Sequence, residues 1–474
     1  MNNPAPSKNP SFGRLVVVVA LAAHLFPGIS AAQQSELSPY SRYGFGLIGQ
    51  LHAPSYAGLG GMETTMLNGY QFHPNNPASA TYLNQTTFQA SGIGNQIQLE
   101  QGDASATAAY GSPGPLGIVV KRNNGKNALI LNLSPYSNSG YSISRSDTHD
   151  GIGLANEQYE GNGGLTAMNI GWARVFKGSK FVRAGGDSIR IQNNALHLGI
   201  QSHYIFGQIS RVSTLDIIDP TFLDHRSRFT AQHRSVSATA GLVYDQLLHV
   251  RYDDRGDFEQ SVSLRVGGVF TPSTNLHSSL ASIDETTQTL GGIPVPLDTA
   301  FSSERLNYRA RMPRTLSLGS SVHFDRNNGM RIAAGIEYKT SAWGAVASKF
   351  APEMQADGLE WMAAESVHLG LQFNPGNPEQ RHPTWGKTTY RLGLNRQHQP
   401  YSVNGHQVQT QAITGGFTLP LVGSRSLSRL HFGTEIGERT TQAGALEETF
   451  VRFHIGVSLM PFFKNNWLIP RLYD

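Results

Sequence analysis

The chain has no cysteine, few charged residues and no long apolar run after its N-terminus. It has no cysteine among 474 residues, which excludes a disulfide framework and a lipidated N-terminal cysteine. Charged residues make up only 15% and apolar residues only 39%, so the chain is neither strongly charged nor strongly hydrophobic. After residue 32 no stretch approaches the roughly 18–20 consecutive apolar residues that a membrane-spanning helix needs.

The first 32 residues have the pattern of a cleaved signal peptide. Lys8 and Arg14 precede an uncharged apolar run over residues 15–26, and this run of about 12 residues is too short to span a bilayer. Pro27 ends the run, and the small residues Ser30 to Ala32 follow it. The sequence therefore predicts export and cleavage after Ala32.

The charge of the exported chain argues against a polyanionic partner. Removal of Lys8 and Arg14 leaves 35 basic residues of the original 37 against 33 acidic ones, a net charge of +2. Since like charges form no blocks along the chain, nothing indicates a nucleic-acid partner.

Alternation of apolar and polar residues recurs along the exported chain and predicts β-strands. Near the C-terminus, Val451, Phe453, Ile455, Val457 and Leu459 alternate with Arg452, His454, Gly456 and Ser458. Similar rows surround the turn sequence Asn-Asn-Gly at 327–329, where Asn and Gly tolerate the backbone angles of a tight hairpin. A soluble β-sandwich would also alternate. The polar rows, however, carry Arg, His, Glu and Gln together with many glycines, as a wet lumen would.

The predicted fold is an all-β transmembrane antiparallel β-barrel of about 14 strands. Residues 91–463 supply the barrel, since roughly 27 residues per strand and connection give ~14 strands over this length. The Asn-Asn-Gly sequences at 123–125 and 327–329 predict tight periplasmic turns, whereas stretches near 213–229, 272–300 and 345–362 predict long external loops. Residues 33–90 lack the alternation and form a separate segment, and residues 464–474 form a C-terminal tail.

The segment before the first strand carries a family resemblance. The Gly-Leu-Gly-Gly-Met sequence at 58–62 is followed by Asn-Asn-Pro-Ala-Ser at 75–79. This arrangement resembles the hatch region of the FadL/TodX outer-membrane transport proteins. The Ser-Pro-Tyr-Ser-Arg-Tyr-Gly opening at 38–44, the Pro-Tyr-Ser sequence at 135–137 and the tail at 467–474 are similar to the Bacteroidota branch of such barrels. The chain departs from the family in its last residue, which is not aromatic, and in Ser79, where a glycine is usual.

The resemblance implies an N-terminal hatch, or plug, that closes the lumen of a barrel in the outer membrane. It assigns hatch residues to Asn76, Pro77 and Ala78 only. Two functions stay open: passive transport of hydrophobic small molecules across the outer membrane, and a non-transporting structural or partner barrel of a secretion or insertion complex. The expected partners are outer-membrane lipid with either a hydrophobic solute or other outer-membrane proteins.

No catalytic, cofactor or metal site is predicted. Residues 44–49 match the Gly-x-Gly-x-x-Gly dinucleotide fingerprint by letter, but they follow no predicted strand and open no helix. The 17 histidines never fall into a zinc-ligand spacing, and no Gly-x-Ser-x-Gly elbow occurs. His368 and His454 lie on polar rows, so we expect them to be solvated in the lumen. The chain is therefore predicted not to be an enzyme.

Overall fold

In the residues that it describes, the structure, a computed structural model, forms a single antiparallel sheet of twenty strands. It describes residues 38–49, 52–122, 125–219, 221–290, 293–346, 359–376, 384–403, 405–421, 427–441 and 446–460. The predicted signal peptide, residues Asn123 and Asn124 of the first predicted turn, and the predicted C-terminal tail lie outside the described residues. No helix among the described residues is long and apolar enough to cross a membrane.

Among the described residues, short helical turns lie in the N-terminal part and before one late strand. One turn of α-helix, α1, spans Pro54–Ala57, and 3-10 turns span Pro39–Arg42, Pro77–Thr81 and Thr384–Lys387. The strands are β1 (Leu47–Ile48), β2 (Thr87–Gln101), β3 (Ala104–Pro113), β4 (Leu116–Arg122), β5 (Asn127–Asn138), β6 (Tyr141–His149), β7 (Gly153–Ala184), β8 (Asp187–Ile217), β9 (Asp224–Tyr252), β10 (Phe258–Thr271), β11 (Thr274–Leu290), β12 (Ile293–Met312), β13 (Thr315–Arg326), β14 (Arg331–Ser341), β15 (Leu359–Trp361), β16 (Ala364–Asn374), β17 (Thr389–Val403), β18 (His406–Pro420), β19 (Arg429–Thr440) and β20 (Glu447–Leu459).

These strands close into a fourteen-stranded barrel, as the sequence predicts. The first barrel strand, β2, pairs with the last, β20, over Phe88 to Glu100. Four barrel strands are interrupted and appear as the consecutive pairs β3/β4, β5/β6, β10/β11 and β12/β13, while β1 and β15 are short additions. The first barrel strand begins at Thr87, slightly before the predicted boundary at residue 91.

The outward faces of the strands form an apolar belt. On β20, Phe453 is 49% exposed and Leu459 is 42% exposed, whereas Arg452 and His454 are buried on the inner face. Exposed large apolar side chains occupy the matching outward position around the barrel, and examples from successive strands are Leu131, Ile170, Ile200, Val236, Val266, Leu318, Ile336, Leu371, Leu392, Ile413 and Ile436. A band of this kind faces lipid, and the protein is an outer-membrane barrel.

Beyond one end of the belt, part of the barrel continues as a tall wall. The upper parts of β6, β7, β8, β9, β11 and β12 pair side by side, and we call this sheet the long wall. The tight turns at Gly185–Gly186 and at 327–329 lie at the opposite end, and Gly329 there has a φ of 81°. Outer-membrane barrels place tight turns in the periplasm, so we assign the long wall to the external side.

Two expectations about the external side and the lumen were wrong. Most of the predicted loop at 272–300 is instead strand, because residues 274–290 and 293–312 form the paired strands β11 and β12. His368 and His454 are not solvated, because both side chains are almost fully buried. The reason is that the N-terminal segment and neighbouring wall side chains fill the interior at their level.

Candidate functional site

The N-terminal segment, residues 38–86, lies inside the barrel and contacts the inward faces of its strands. Its first residues lie near the external end, where the Tyr401 hydroxyl donates to Tyr40 O at 2.8 Å. Its last residues lie at the other end, where Lys121 donates to Thr81 O at 2.7 Å. Between them the Gly60 N–H donates to Thr414 Oγ1 at 2.9 Å. The segment therefore runs along the lumen from the external end to the start of β2.

Asn76, Pro77 and Ala78 form the start of the 3-10 turn and are fully buried. Asn76 caps the turn: its Oδ1 accepts from the Ala78 N–H at 3.0 Å, and its Nδ2 donates to Glu63 O at 2.8 Å. Because the proline ring fixes its own φ and favours an extended residue before it, Asn76 has φ −114° and ψ 99°. Asn76 thus ties the turn to the chain thirteen residues earlier.

Glycines on the inward faces of the barrel strands leave the space that this segment occupies. Eleven barrel strands contribute one glycine each whose missing Cβ would meet an atom of the segment, and these are Gly117, Gly199, Gly241, Gly267, Gly319, Gly335, Gly370, Gly393, Gly416, Gly433 and Gly456. A Cβ on Gly199 would lie 2.5 Å from Ala78 N, and one on Gly393 would lie 2.3 Å from Gly60 N. Atoms at such distances overlap, so the segment fits only because these positions lack a side chain. We call this set the glycine seat.

Buried polar bonds fix the segment on one side of the seat. Glu337 of β14 accepts from the Glu63 N–H at 3.0 Å, the Thr64 N–H at 2.8 Å and the Thr64 hydroxyl at 2.6 Å. Glu63 itself pairs with Lys339 at 3.2 Å and accepts from Ser317 at 2.5 Å. Three hydrogen bonds to Glu337, the ion pair with Lys339 and the bond from Ser317 therefore anchor the segment to β13 and β14 at this point.

The charge of Glu63 is stabilised despite its burial. Burial alone would raise the pKa of this carboxyl, but the ammonium of Lys339 and the hydroxyl of Ser317 oppose it and hold the pKa below its usual range. Glu63 is therefore ionised near neutral pH, and its contact with Lys339 is a true ion pair.

A second anchor holds the beginning of the segment. Arg439 and Glu448 form a fully buried ion pair at 2.7 Å, and Ser38 donates to Glu448 and accepts from Arg439 at 3.1 Å. Removing one partner of a buried pair is costly because the remaining charge stays unpaired. Ser38 therefore bonds to both members of this buried ion pair.

A cavity of about 200 Å³, lined by both polar and apolar side chains, remains between the segment and the wall. Its lining includes His52, Glu63, His73, Lys339 and His368. Burial lowers the pKa of His52 to about 3 and that of His73 to about 4, so both rings are neutral at physiological pH. Within the described residues no group of three or more His, Asp or Glu side chains could hold a metal ion.

The cavity adjoins an interruption in the wall. The second barrel strand breaks at Gly114 and Pro115, so that β4 pairs with β5 only from Leu116 downward, while β3 pairs with β2 alone among the described strands. Above the break, β1 of the N-terminal segment pairs with Ser137 and Asn138 of β5. The segment therefore covers part of the strand edge that the break exposes.

Sequence reasoning missed the glycine seat and both anchors. The glycines of the polar rows indicated a water-filled lumen. In the structure they instead contact the N-terminal segment at one level of the barrel. A signal was present, because almost every inward row contains one glycine. The anchors join residues some 270 to 410 positions apart, which no local pattern indicates. Residues 44–49 open no helix, and Leu47–Ile48 there form β1.

One family model, described as BamG, matches residues 14–474. No curated protein matches the sequence. Solved structures with similar folds include the CymD monoaromatic hydrocarbon channel, with 12% identity, a TM-score of 0.44 and coverage of 89% of this chain and 99% of that one. The Pseudomonas putida toluene transporter TodX gives 12%, 0.45, 88% and 99%, and a Pseudomonas aeruginosa FadL homologue gives 11%, 0.47, 89% and 100%.

Proposed function

The chain belongs to the BamG family, and we propose that it is a non-conducting partner barrel of an outer-membrane protein assembly. The observation that carries this proposal is the filled lumen. The N-terminal segment meets eleven wall strands at the glycine seat and is fixed by buried polar anchors. The residual cavity of about 200 Å³ is smaller than the roughly 300–1,000 Å³ of typical small-molecule sites.

The plug role of the segment is part of this proposal. The large apolar side chains of residues 38–80, such as Phe45 and Phe72, pack against barrel residues, so the segment depends on the barrel for its order. We expect a deletion of residues 38–80 to leave a barrel that still inserts, because every pair of neighbouring barrel strands is formed without this segment. Liposomes carrying the deletion should leak small polar solutes that liposomes with the intact protein retain. If the intact protein leaks equally, the lumen is not closed and the proposal fails.

The partner role is tested by extraction of the intact protein from outer membranes in mild detergent. We expect it to migrate as a complex with other outer-membrane proteins in fixed stoichiometry, and the plug deletion should keep these partners if they bind the outer surface. A protein that is extracted as an isolated barrel, and that remains alone after chemical cross-linking in whole cells, contradicts the partner role.

The break at Gly114 and Pro115 favours a second candidate, the lateral passage of hydrophobic small molecules. Interrupted strand pairing opens a barrel wall locally, and the cavity beside Ser134 and Tyr136 lies next to this interruption. In this alternative a solute passes from the cavity to the lipid through the gap between β3 and β5. Uptake of toluene into liposomes that is faster with the protein than without it supports passage, whereas equal uptake rejects it.

The remaining assignments are proposals about processing and origin. We propose a signal peptide over residues 1–32 and no catalytic role, and the Bacteroidota affinity stays a prediction from the sequence. The intact mass of protein purified from outer membranes should correspond to a chain that begins at Gln33. A retained N-terminus would contradict the signal peptide without affecting the barrel.

A further inference from the structure

An unpaired basic cluster lies on the outer face of the long wall. Arg234 of β9, His277 of β11 and Arg309 of β12 are direct neighbours across three strands. Arg311 lies on the same face of β12, opposite Asn275. All of these side chains are exposed. Three guanidinium groups therefore lie close together on one surface.

This arrangement concentrates positive charge on one exposed surface. Arg234 and Arg309 flank His277 on the two sides of β11, and Arg311 is two residues from Arg309 on β12. Arg234, Arg309 and Arg311 form no ion pair with any described acidic side chain. The row above them is neutral and consists of Gln232, Ser279 and Asn307. Higher on the same wall, by contrast, Arg226 has its own partner in Glu285 at 2.6 Å.

The cluster lies where the apolar belt ends. Directly below it Val236 is 65% exposed, and Tyr204 and Phe206 stack on the neighbouring strand with ring centroids 5.4 Å apart. Exposed aromatic residues at the edge of an apolar band mark the level of the lipid headgroups. The cluster therefore faces the headgroup layer of the outer leaflet.

The surface at this point is concave. A shallow depression of about 490 Å³ is lined by Tyr204, Arg234, Val236, Asn275, His277 and Arg311. It lies at the interruption between β10 and β11, where Pro272 and Ser273 leave the ladder. Its floor combines cationic groups above with apolar groups below.

We propose that this cluster is a binding site for the phosphate groups of a phosphorylated glycolipid of the outer leaflet. Guanidinium groups bind phosphate oxygens through paired, charge-assisted hydrogen bonds, and basic pockets at the membrane surface bind lipid headgroups in this way. The acyl chains of such a lipid would lie along Val236 and Tyr204. The site stands on the outer surface and does not depend on whether the lumen conducts.

The test is native mass spectrometry of the full-length barrel in detergent with bisphosphorylated lipid A as the probe. We expect a bound lipid on the wild-type protein and binding weakened roughly tenfold or more in the variant Arg234→Gln/Arg309→Gln/Arg311→Gln, because three charge-assisted contacts are lost. The matched control is Arg174→Gln/Arg183→Gln/Arg190→Gln, which removes three exposed arginines from β7 and β8 at the opposite end. This control should bind like the wild type.

Two further arms use only the wild-type protein and remain decisive if the variant does not fold. Dephosphorylated lipid A should bind at least roughly tenfold more weakly, and inorganic phosphate at the same concentration should not displace the phosphorylated lipid. Equal binding of both lipids, or equal binding by the variant and the control, overturns the proposal. Displacement by inorganic phosphate would assign the site to the free ion. In a separate experiment, a photoreactive amino acid is introduced at position 311, and cross-linking of a protein to it in cells would assign the site to a protein partner. Either of these results also overturns the lipid assignment.

Discussion

A methyl group added at Gly393 tests whether the segment is held by the shape of the wall. The new Cβ would lie 2.3 Å from Gly60 N, 2.5 Å from Leu59 C and 2.6 Å from Thr414 Oγ1. Ordinary heavy-atom contacts are about 3.5–4.0 Å, and backbone atoms cannot rotate away as the end of a side chain can. The Gly393→Ala variant must therefore displace the segment at residues 59–60.

The cost of this displacement has two parts. Overpacking by a methyl group costs about 1–3 kcal/mol, and loss of the hydrogen bond from Gly60 to Thr414 costs about 0.5–1.5 kcal/mol. A total of ~1.5–4.5 kcal/mol shifts the equilibrium between seated and released segment by roughly 10- to 2,000-fold. The barrel strands themselves should be unaffected, since Gly393 keeps its pairing with Gly370 and Thr414.

Hydrogen–deuterium exchange of the folded barrel measures this shift directly. Amides of residues 52–82 should exchange faster in Gly393→Ala by up to the same factor, while amides of β16 to β18 keep their protection. The matched control is Gly415→Ala on the adjacent strand, because its Cβ would lie 3.9 Å from the nearest atoms, Arg391 O and Leu392 Cδ2. Identical exchange of residues 52–82 in both variants would refute the glycine seat as the feature that holds the segment.

Two further predictions concern the belt and the Glu63 anchor. Ile455→Arg places a charge on the lipid face of β20 and should destabilise the barrel by ~2–4 kcal/mol at the bilayer midplane. A urea titration of folding in liposomes measures this loss. The control Glu447→Arg, at the exposed end of the strand, should be nearly neutral in that titration. Because the pKa of Glu63 is lowered in the folded protein, its ion pair contributes fully above the ordinary pKa of about 4.5 and is lost only as pH falls below that value. Exchange protection of residues 59–66 should therefore fall as the pH drops below about 4, and this acid-induced loss should disappear in Glu63→Gln, which should already be weakened at neutral pH.

The facing of single strands could be predicted because it is a local property. Side chains alternate between the two faces of a strand, so the rows of β20 and β14 were assigned correctly from apolar spacing alone. The β11–β12 hairpin escaped this reasoning. Pro294 and Pro296 suggested a loop, but β12 pairs only with β11 among the described strands, and proline is tolerated on such an edge.

The interior could not be predicted because its contents come from elsewhere in the chain. The inward row of β14 and β16 carries Glu337 and His368, and an empty barrel would leave both side chains in water. In the folded protein Glu337 accepts from Thr64, and His368 Nδ1 lies 2.5 Å from Gly60 O. The polar row predicts an inward face, but it does not reveal whether water or protein occupies the lumen.

The wall and the segment are complementary in a way that explains the composition of both. A charged inner face next to a lumen filled by apolar side chains would leave Glu337 and the Arg439–Glu448 pair without enough partners, and such burial is costly. The segment supplies these partners through backbone N–H groups and small hydroxyl side chains. It can approach the wall because glycines there have no side chain. Its apolar side chains also pack against the wall, with Phe45 among Leu165, Ile205 and Trp343, and Phe72 among Val119 and Ile130. Hydrogen bonds and apolar contacts therefore fit the segment to the barrel together. The outer surface offers the larger apolar area and the unpaired charges, and it is there that lipid and protein partners can bind without disturbing the interior.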